Sequence, residues 1–148
     1  MLQQVMPEQI PSYWEAIKKV IETALLKIAG ESNNKANNIL ERLLEGVFTC
    51  WVSYGIKDGE KKANGVGLTR IISDEITETK SLLIYCMATI EDGEPDFKEY
   101  QEGIIALRKY ARSKGCSRIT SYTDIEYLVD MARNLGGGTI YSFIAFPV

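Results

Sequence analysis

Histidine is absent from the whole chain of 148 residues, and no other feature of the sequence excludes as much. Without it there is no Ser-His-Asp or Cys-His nucleophile and no zinc site with an imidazole ligand. Any general base must be Asp, Glu, Tyr, Lys, Cys or a bound water. Cysteine is scarce as well. Cys50, Cys86 and Cys116 are odd in number and widely spaced, so neither a zinc knuckle nor a dithiol redox pair is written here. All three sit in or beside apolar segments and read as reduced core residues in a cytoplasmic setting. No excess of positive charge exists: 17 basic residues face 20 acidic ones, for a net charge of −3. That balance argues against binding through phosphate neutralisation of nucleic acid and against an anionic membrane surface. No apolar run approaches the roughly 20 residues needed to cross a bilayer. Met1 to Pro11 has neither a basic start nor an apolar stretch, so it does not read as a secretory signal.

What is present suits one domain over residues 1–148, large enough to bury a real core. Leu2 to Met6 can form a short first strand. Ser12 with Glu15 spells a capping box, and Trp14, Ile17, Ile21, Leu25 and Ile28 follow at helical spacing. Gly30 is read as the left-handed cap of that helix. A second helix carries Ile39, Leu40, Leu43 and Leu44 toward the core and closes at Gly46. Three strands are expected next, at 47–55, 65–72 and 81–90, joined by short turns as an antiparallel meander. The third, with Leu82-Leu83-Ile84-Tyr85-Cys86-Met87, is apolar on both faces and so central. A long helix over 96–114 shows the stripe Phe97, Tyr100, Ile104, Leu107 and Ala111 and ends at Gly115. A strand at 118–122 after it makes a parallel crossover. Thr123 and Glu126 form another capping box. Its helix carries Ile125, Leu128, Val129, Ala132 and Leu135, stops at Gly136-Gly137-Gly138, and leads to a last strand at 139–146. The expected fold is mixed α/β, with a mostly antiparallel central sheet between two layers of helices. Trp14, Leu43, Trp51, Ile84, Leu107 and Leu128 are the expected core.

This order of elements, with the run Ile104-Ile105-Ala106-Leu107-Arg108-Lys109-Tyr110-Ala111-Arg112-Ser113-Lys114-Gly115 and the turn Asn134-Leu135-Gly136-Gly137, resembles the GNAT superfamily of acyl-CoA N-acyltransferases. Divergent chains of this sort are similar to GNAT-like proteins of tailed phages and prophages. The resemblance implies transfer of an acetyl group from acetyl-CoA to an amine. It also implies a three-layer fold with a cofactor cleft between the central strand and the strand after the long helix. The pantetheine arm would pair with the central strand, at Cys86, Met87 and Ala88. The pyrophosphate would rest on the N–H groups that open the long helix.

The family motif at that helix start is R/Q-x-x-G-x-G/A, and it falls here on Pro95-Asp96-Phe97-Lys98-Glu99-Tyr100. Lys98 and Tyr100 stand where the glycines belong, with Glu99 between them. Glu91, Asp92, Glu94, Asp96, Glu99 and Glu102 surround the position. Each close like-charge pair costs on the order of 1 kcal/mol near a surface, so acetyl-CoA is expected to bind weakly or not at all. The same acids also suit a helix N-terminus, with Arg108, Lys109, Arg112 and Lys114 toward the other end. Their spacing is not that of a calcium loop, and no metal site is expected. The family's tyrosine acid would lie in Asp130-Met131-Ala132-Arg133, which has none. Tyr122, Asp124 and Glu75 are the catalytic candidates, with Tyr85 as a further base or water holder. Two readings compete. One is a degenerate GNAT-fold protein, weak or silent as an enzyme, acting through an unknown protein partner or as a homodimer. The other is an active N-acetyltransferase with an unusual phosphate clamp and an amine substrate.

Overall fold

The computed structural model describes residues 1–25, 30, 32–90, 97–123, 126–136 and 138–148. Five strands form one sheet in the order β1-β2-β3-β4-β5, namely Leu2–Val5, Phe48–Lys57, Glu60–Asp74, Thr79–Thr89 and Arg118–Ser121. β1 to β4 pair antiparallel, and β4 pairs parallel with β5. Four α-helices accompany them: α1 (Ile10–Ala24), α2 (Lys35–Leu44), α3 (Phe97–Ser113) and α4 (Glu126–Asn134). This is the mixed α/β architecture expected from the sequence, and the parallel β4–β5 pair lies where the long crossover through α3 requires it.

Period-2 alternation sorts the sheet's side chains into two cores. Phe48, Cys50, Val66, Leu68 and Cys86 pack with Ile17 and Ile21 of α1 and with Ile39 and Leu43 of α2. Trp51, Leu82 and Ile84 pack on the other face with Leu107 and Ala111 of α3. The Trp51 indole in that region is satisfied, since its N–H donates to Thr69 Oγ1 at 2.8 Å. β4 supplies both cores, as its doubly apolar run implies. Of the expected core, Leu43, Trp51, Ile84 and Leu107 are buried, whereas Trp14 and Leu128 are half-buried.

Turn chemistry sets the connections. Asp58 and Gly59 both have positive φ, 54° and 78°, which gives the type I′ hairpin between β2 and β3 its twist. The Asp74 carboxylate closes the β3–β4 turn by accepting the N–H groups of Thr77 and Ile76 at 2.9 Å each. Those bonds, Thr77 first, hold its carboxyl below the usual range. Gly115, at φ 73°, ends α3 in a Schellman turn, with Cys116 N–H donating to Ala111 and Gly115 N–H to Arg112.

Several expectations are corrected. The Ser12–Glu15 box does not open α1. The helix begins at Ile10, with no side-chain cap bond from Gln9 before it and with Pro11 in the first turn, where proline gives up an N–H that has no helical partner anyway. α1 ends at Ala24, and Leu25 is extended. Ile28 lies outside the described residues. Leu44 and Ala132 are exposed rather than turned to the core, while Met131, which the stripe through Ala132 missed, is buried. β3 is longer than expected at both ends. The strand expected at 139–146 does not form: residues 138–148 belong to no element and are exposed throughout.

Candidate functional site

The end of the sheet where β4 finishes and α3 begins has a distinctive geometry. β4 pairs with β5 only over Ser81↔Arg118 to Ile84↔Ser121. β4 then continues through Tyr85–Thr89, past the end of that ladder. The break coincides with a bulge. On the β3 side Leu68 faces Cys86 while Thr69 faces Ile84, so Tyr85 is the extra residue. A bulge bends its strand and sharpens the local twist, and here it sits where the β4–β5 ladder ends. Beyond Ile84 and Ser121 the two parallel strands leave a wedge without ladder bonds between them. One wall is an edge of β4 with which an extended, amide-bearing arm could pair.

The bulge also shifts the side-chain phase. Tyr85 and Cys86 both join the core under α1 and α2, and the Tyr85 ring meets Phe48 at 5.0 Å between centroids. Of the residues expected to line a pantetheine arm, Cys86 is therefore buried on the far face. Its burial pushes the thiol up to about 12. Cys86 can offer the wedge only its backbone. Met87 is exposed and Ala88 half-buried.

A second bulge fixes the mouth. Ser53 pairs with Gly65 but Tyr54 with Ala63, which leaves Asn64 as the extra residue of β3. Asn64 accepts the Ser53 hydroxyl at its side-chain oxygen, and its backbone oxygen accepts the Ile90 N–H at 3.0 Å. Its Nδ2 donates to Glu99 Oε2 at 2.9 Å. One bulged residue thus ties β2, the end of β4 and the first turn of α3 together. Gly55 makes room for this tie, since a Cβ there would stand 2.8 Å from Glu99 Oε1 and 2.9 Å from Asn64 Nδ2. A notch of about 200 Å³ beside it is lined by Gly55, Lys57, Lys62, Asn64 and Glu99.

Glu99, expected from the sequence at the cofactor site, is thus engaged with Asn64. Lys98 is exposed, and Tyr100 is half-buried, with burial raising its phenol. Residues 91–96, with Pro95, Asp96 and most of the acidic run, lie outside the described residues, as does Asp124. Tyr122 follows β5 at the open end of the wedge, exposed, with its ring 6.2 Å from Phe143. Glu75 is elsewhere. It lies in the turn before β4, while the wedge opens six residues into that strand, roughly 20 Å away at the rise of a strand. Tyr122 and the backbone of 85–89 thus border the wedge, and Glu75 does not. The two bulges were not legible from residue types alone; only Gly55 and Gly65 hinted at a close approach.

A larger cavity of about 440 Å³ opens between α1 and α2, and no residue of β4, β5 or α3 lines it. Among the described residues no group of three potential ligands could hold a metal ion. No described helix is long and apolar enough to cross a membrane.

The whole chain superposes on solved acetyltransferases. The chain has the GNAT acetyltransferase fold. A probable acetyltransferase matches all of this chain and 96% of its own, with a TM-score of 0.69 and 14% identity. The aminoglycoside acetyltransferase meta-AAC0020 from an uncultured soil metagenomic sample, in complex with sisomicin, matches with a TM-score of 0.71 and 15% identity over 100% and 94% of the two chains. AAC(6')-Iy in complex with a CoA bisubstrate analogue matches at 0.67 and 15% over 100% and 97%. At these identities the likeness is one of fold. No family model and no curated protein matches the sequence.

Proposed function

We propose that this GNAT-fold chain keeps the wedge for an acyl-pantetheine arm but has lost the phosphate clamp. It then holds acetyl-CoA weakly, is weak or silent as an acetyltransferase, and works through protein contacts. One observation carries this reading. The first turn of α3 presents Lys98 and a half-buried Tyr100 where a GNAT clamp has glycines, and Glu99 between them is tied to Asn64. A phosphate at a helix start needs free N–H groups, close backbone approach and a favourable potential. Side chains at 98 and 100 obstruct the approach, and the acidic run before them opposes the charge. Lys98 contributes a single point charge in return.

The test is calorimetric titration with acetyl-CoA. The expected dissociation constant is weaker than about 100 μM. Replacing Lys98 and Tyr100 by glycine and Glu94 and Asp96 by their amides, with Glu99 left in place to keep its tie, should tighten binding in protein that retains its circular dichroism. Low-micromolar binding by the unaltered chain overturns the proposal.

The second reading, an active N-acetyltransferase, is favoured by the intact wedge at Tyr85–Thr89 and by the acetyltransferases that share the fold. In that reading Tyr122, at the wedge mouth, and Asp124, two residues later in the sequence, would handle the proton of the amine. Release of free CoA thiol in the presence of polyamine or aminoglycoside acceptors, abolished by Tyr122→Phe, would establish it.

A further inference from the structure

Past Ile84 the β4 wall of the wedge is held from one side. Among the described residues its ladder partner there is β3 alone, through Leu68↔Cys86, Gly67↔Met87, Val66↔Ala88 and Gly65↔Thr89. This stretch of pairs lies between two bulges, with Tyr85 before it and Asn64 beyond its far end. The extra residue of a bulge has no partner in the ladder, so other bonds must fix it. Asn64 has three. Its backbone oxygen takes the Ile90 N–H at 3.0 Å, one residue past the last ladder pair. Its side-chain oxygen takes the Ser53 hydroxyl, and its Nδ2 donates to Glu99 Oε2 at 2.9 Å. The surroundings are close-packed. A Cβ on Gly65 would stand 2.8 Å from Ser53 Oγ and 3.2 Å from the Ala88 oxygen, so β2, the bulge and the end of β4 are in direct contact.

We propose, on the reading of the wedge as the seat of an acyl-pantetheine arm, that Asn64 is a positioning residue for that arm. It acts through β4 and not by touching the ligand. An extended, amide-bearing arm pairs with a strand edge only where successive backbone groups keep a regular spacing and direction. Asn64 fixes the far end of that edge through Ile90 and braces it against β2 and the first turn of α3. A preset edge spares the ligand the cost of ordering it on binding. The residue type matters because a side-chain amide accepts and donates at once. A carboxylate at the same place could still accept from Ser53 but has nothing to donate to Glu99, and would face it as a like charge.

The test is a titration of the full chain with S-acetyl-pantetheine, followed by NMR at the amides of 86–90. This probe is uncharged, so charges at 64 and 99 reach it only through the fold. Asn64→Asp should weaken binding at least about tenfold in protein that keeps its circular dichroism. Adding Glu99→Gln returns a donor opposite the new carboxylate and should restore affinity to within about threefold of the unaltered chain. A purely structural role would lower stability and leave the affinity of the folded protein unmoved. A smaller loss in Asn64→Asp, or one that Glu99→Gln does not restore, overturns the positioning role and leaves the wedge reading standing. No binding by the unaltered chain overturns the wedge reading, and the positioning role with it. Hydrogen exchange needs no variant. The Ile90 amide of the unaltered chain should exchange at least about tenfold more slowly than in an unstructured segment. Free exchange there overturns the proposal, so a misfolded variant leaves it open to refutation.

Discussion

Gly55→Ala is a sharp probe of the tie between the sheet and α3. Gly55 sits in β2 at an ordinary negative φ, where alanine by itself should stabilise by about 0.4–1 kcal/mol through a stiffer unfolded chain. The added Cβ, however, would fall 2.8 Å from Glu99 Oε1 and 2.9 Å from Asn64 Nδ2. Both are ends of movable side chains, so the cheapest relief is to swing them away. That abandons the Asn64–Glu99 bond and strains the Ser53–Asn64 bond. Each is worth about 0.5–1.5 kcal/mol, toward the low end for the exposed Glu99. The net expectation in the unaltered chain is a loss of about 0.5–2 kcal/mol in urea melts. In a chain already carrying Asn64→Ala there is no tie to break, and Gly55→Ala should become neutral or stabilising. The double-mutant cycle therefore carries a change of sign. Equal effects in both backgrounds would refute the reasoning.

Leu107→Ala should cost about 2–5 kcal/mol in the same melts, because Leu107 is the buried centre of the α3 core; a loss under about 1 kcal/mol contradicts the packing. Burial raises the Cys50 and Cys86 thiols from 9.0 to about 12. The unfolded chain therefore releases these protons first, and stability should hold below pH 9 and fall between about pH 9 and 12. The limiting slope is about 1.4 kcal/mol per pH unit for each thiol. Chemical melts of Cys50→Ala and Cys86→Ala proteins should show a shallower decline, and an unchanged one contradicts it. Under native conditions an aromatic disulfide reagent should label the half-exposed Cys116 well before the two buried thiols; equal rates for all three contradict the burial.

Element order up to α4, the interior place of β4 between β3 and β5, and the crossover through α3 were legible because burial writes a repeat of 2 or 3.6 residues into the sequence. The bulges at Tyr85 and Asn64 were not, since a bulge is an extra residue relative to a partner strand and one strand alone does not record it. Nor was the face that Cys86 takes, because the bulge shifts the side-chain phase and turns it to the core under α1 and α2. Ser12 misled because a capping box competes with proline's own preference for the first helical turn, and Pro11 prevailed. Glu75 stands before β4 in the sequence and so at its start, whereas the wedge lies toward its end. The 139–146 segment has a strand's pattern, and pattern alone does not say whether a neighbouring strand pairs with it.

The central claim is a wedge kept and a clamp lost, and comparing two ligands on one protein tests it most directly. S-acetyl-pantetheine carries the arm that the wedge would hold, whereas acetyl-CoA adds the nucleotide and its phosphates. Titrated side by side at low salt, the two should bind within about threefold of each other, because the phosphates find no cradle at Lys98, Glu99 and Tyr100. Acetyl-CoA binding about a hundredfold more tightly, a difference of about 2.7 kcal/mol, would show that the start of α3 does clamp the phosphates and would contradict the account.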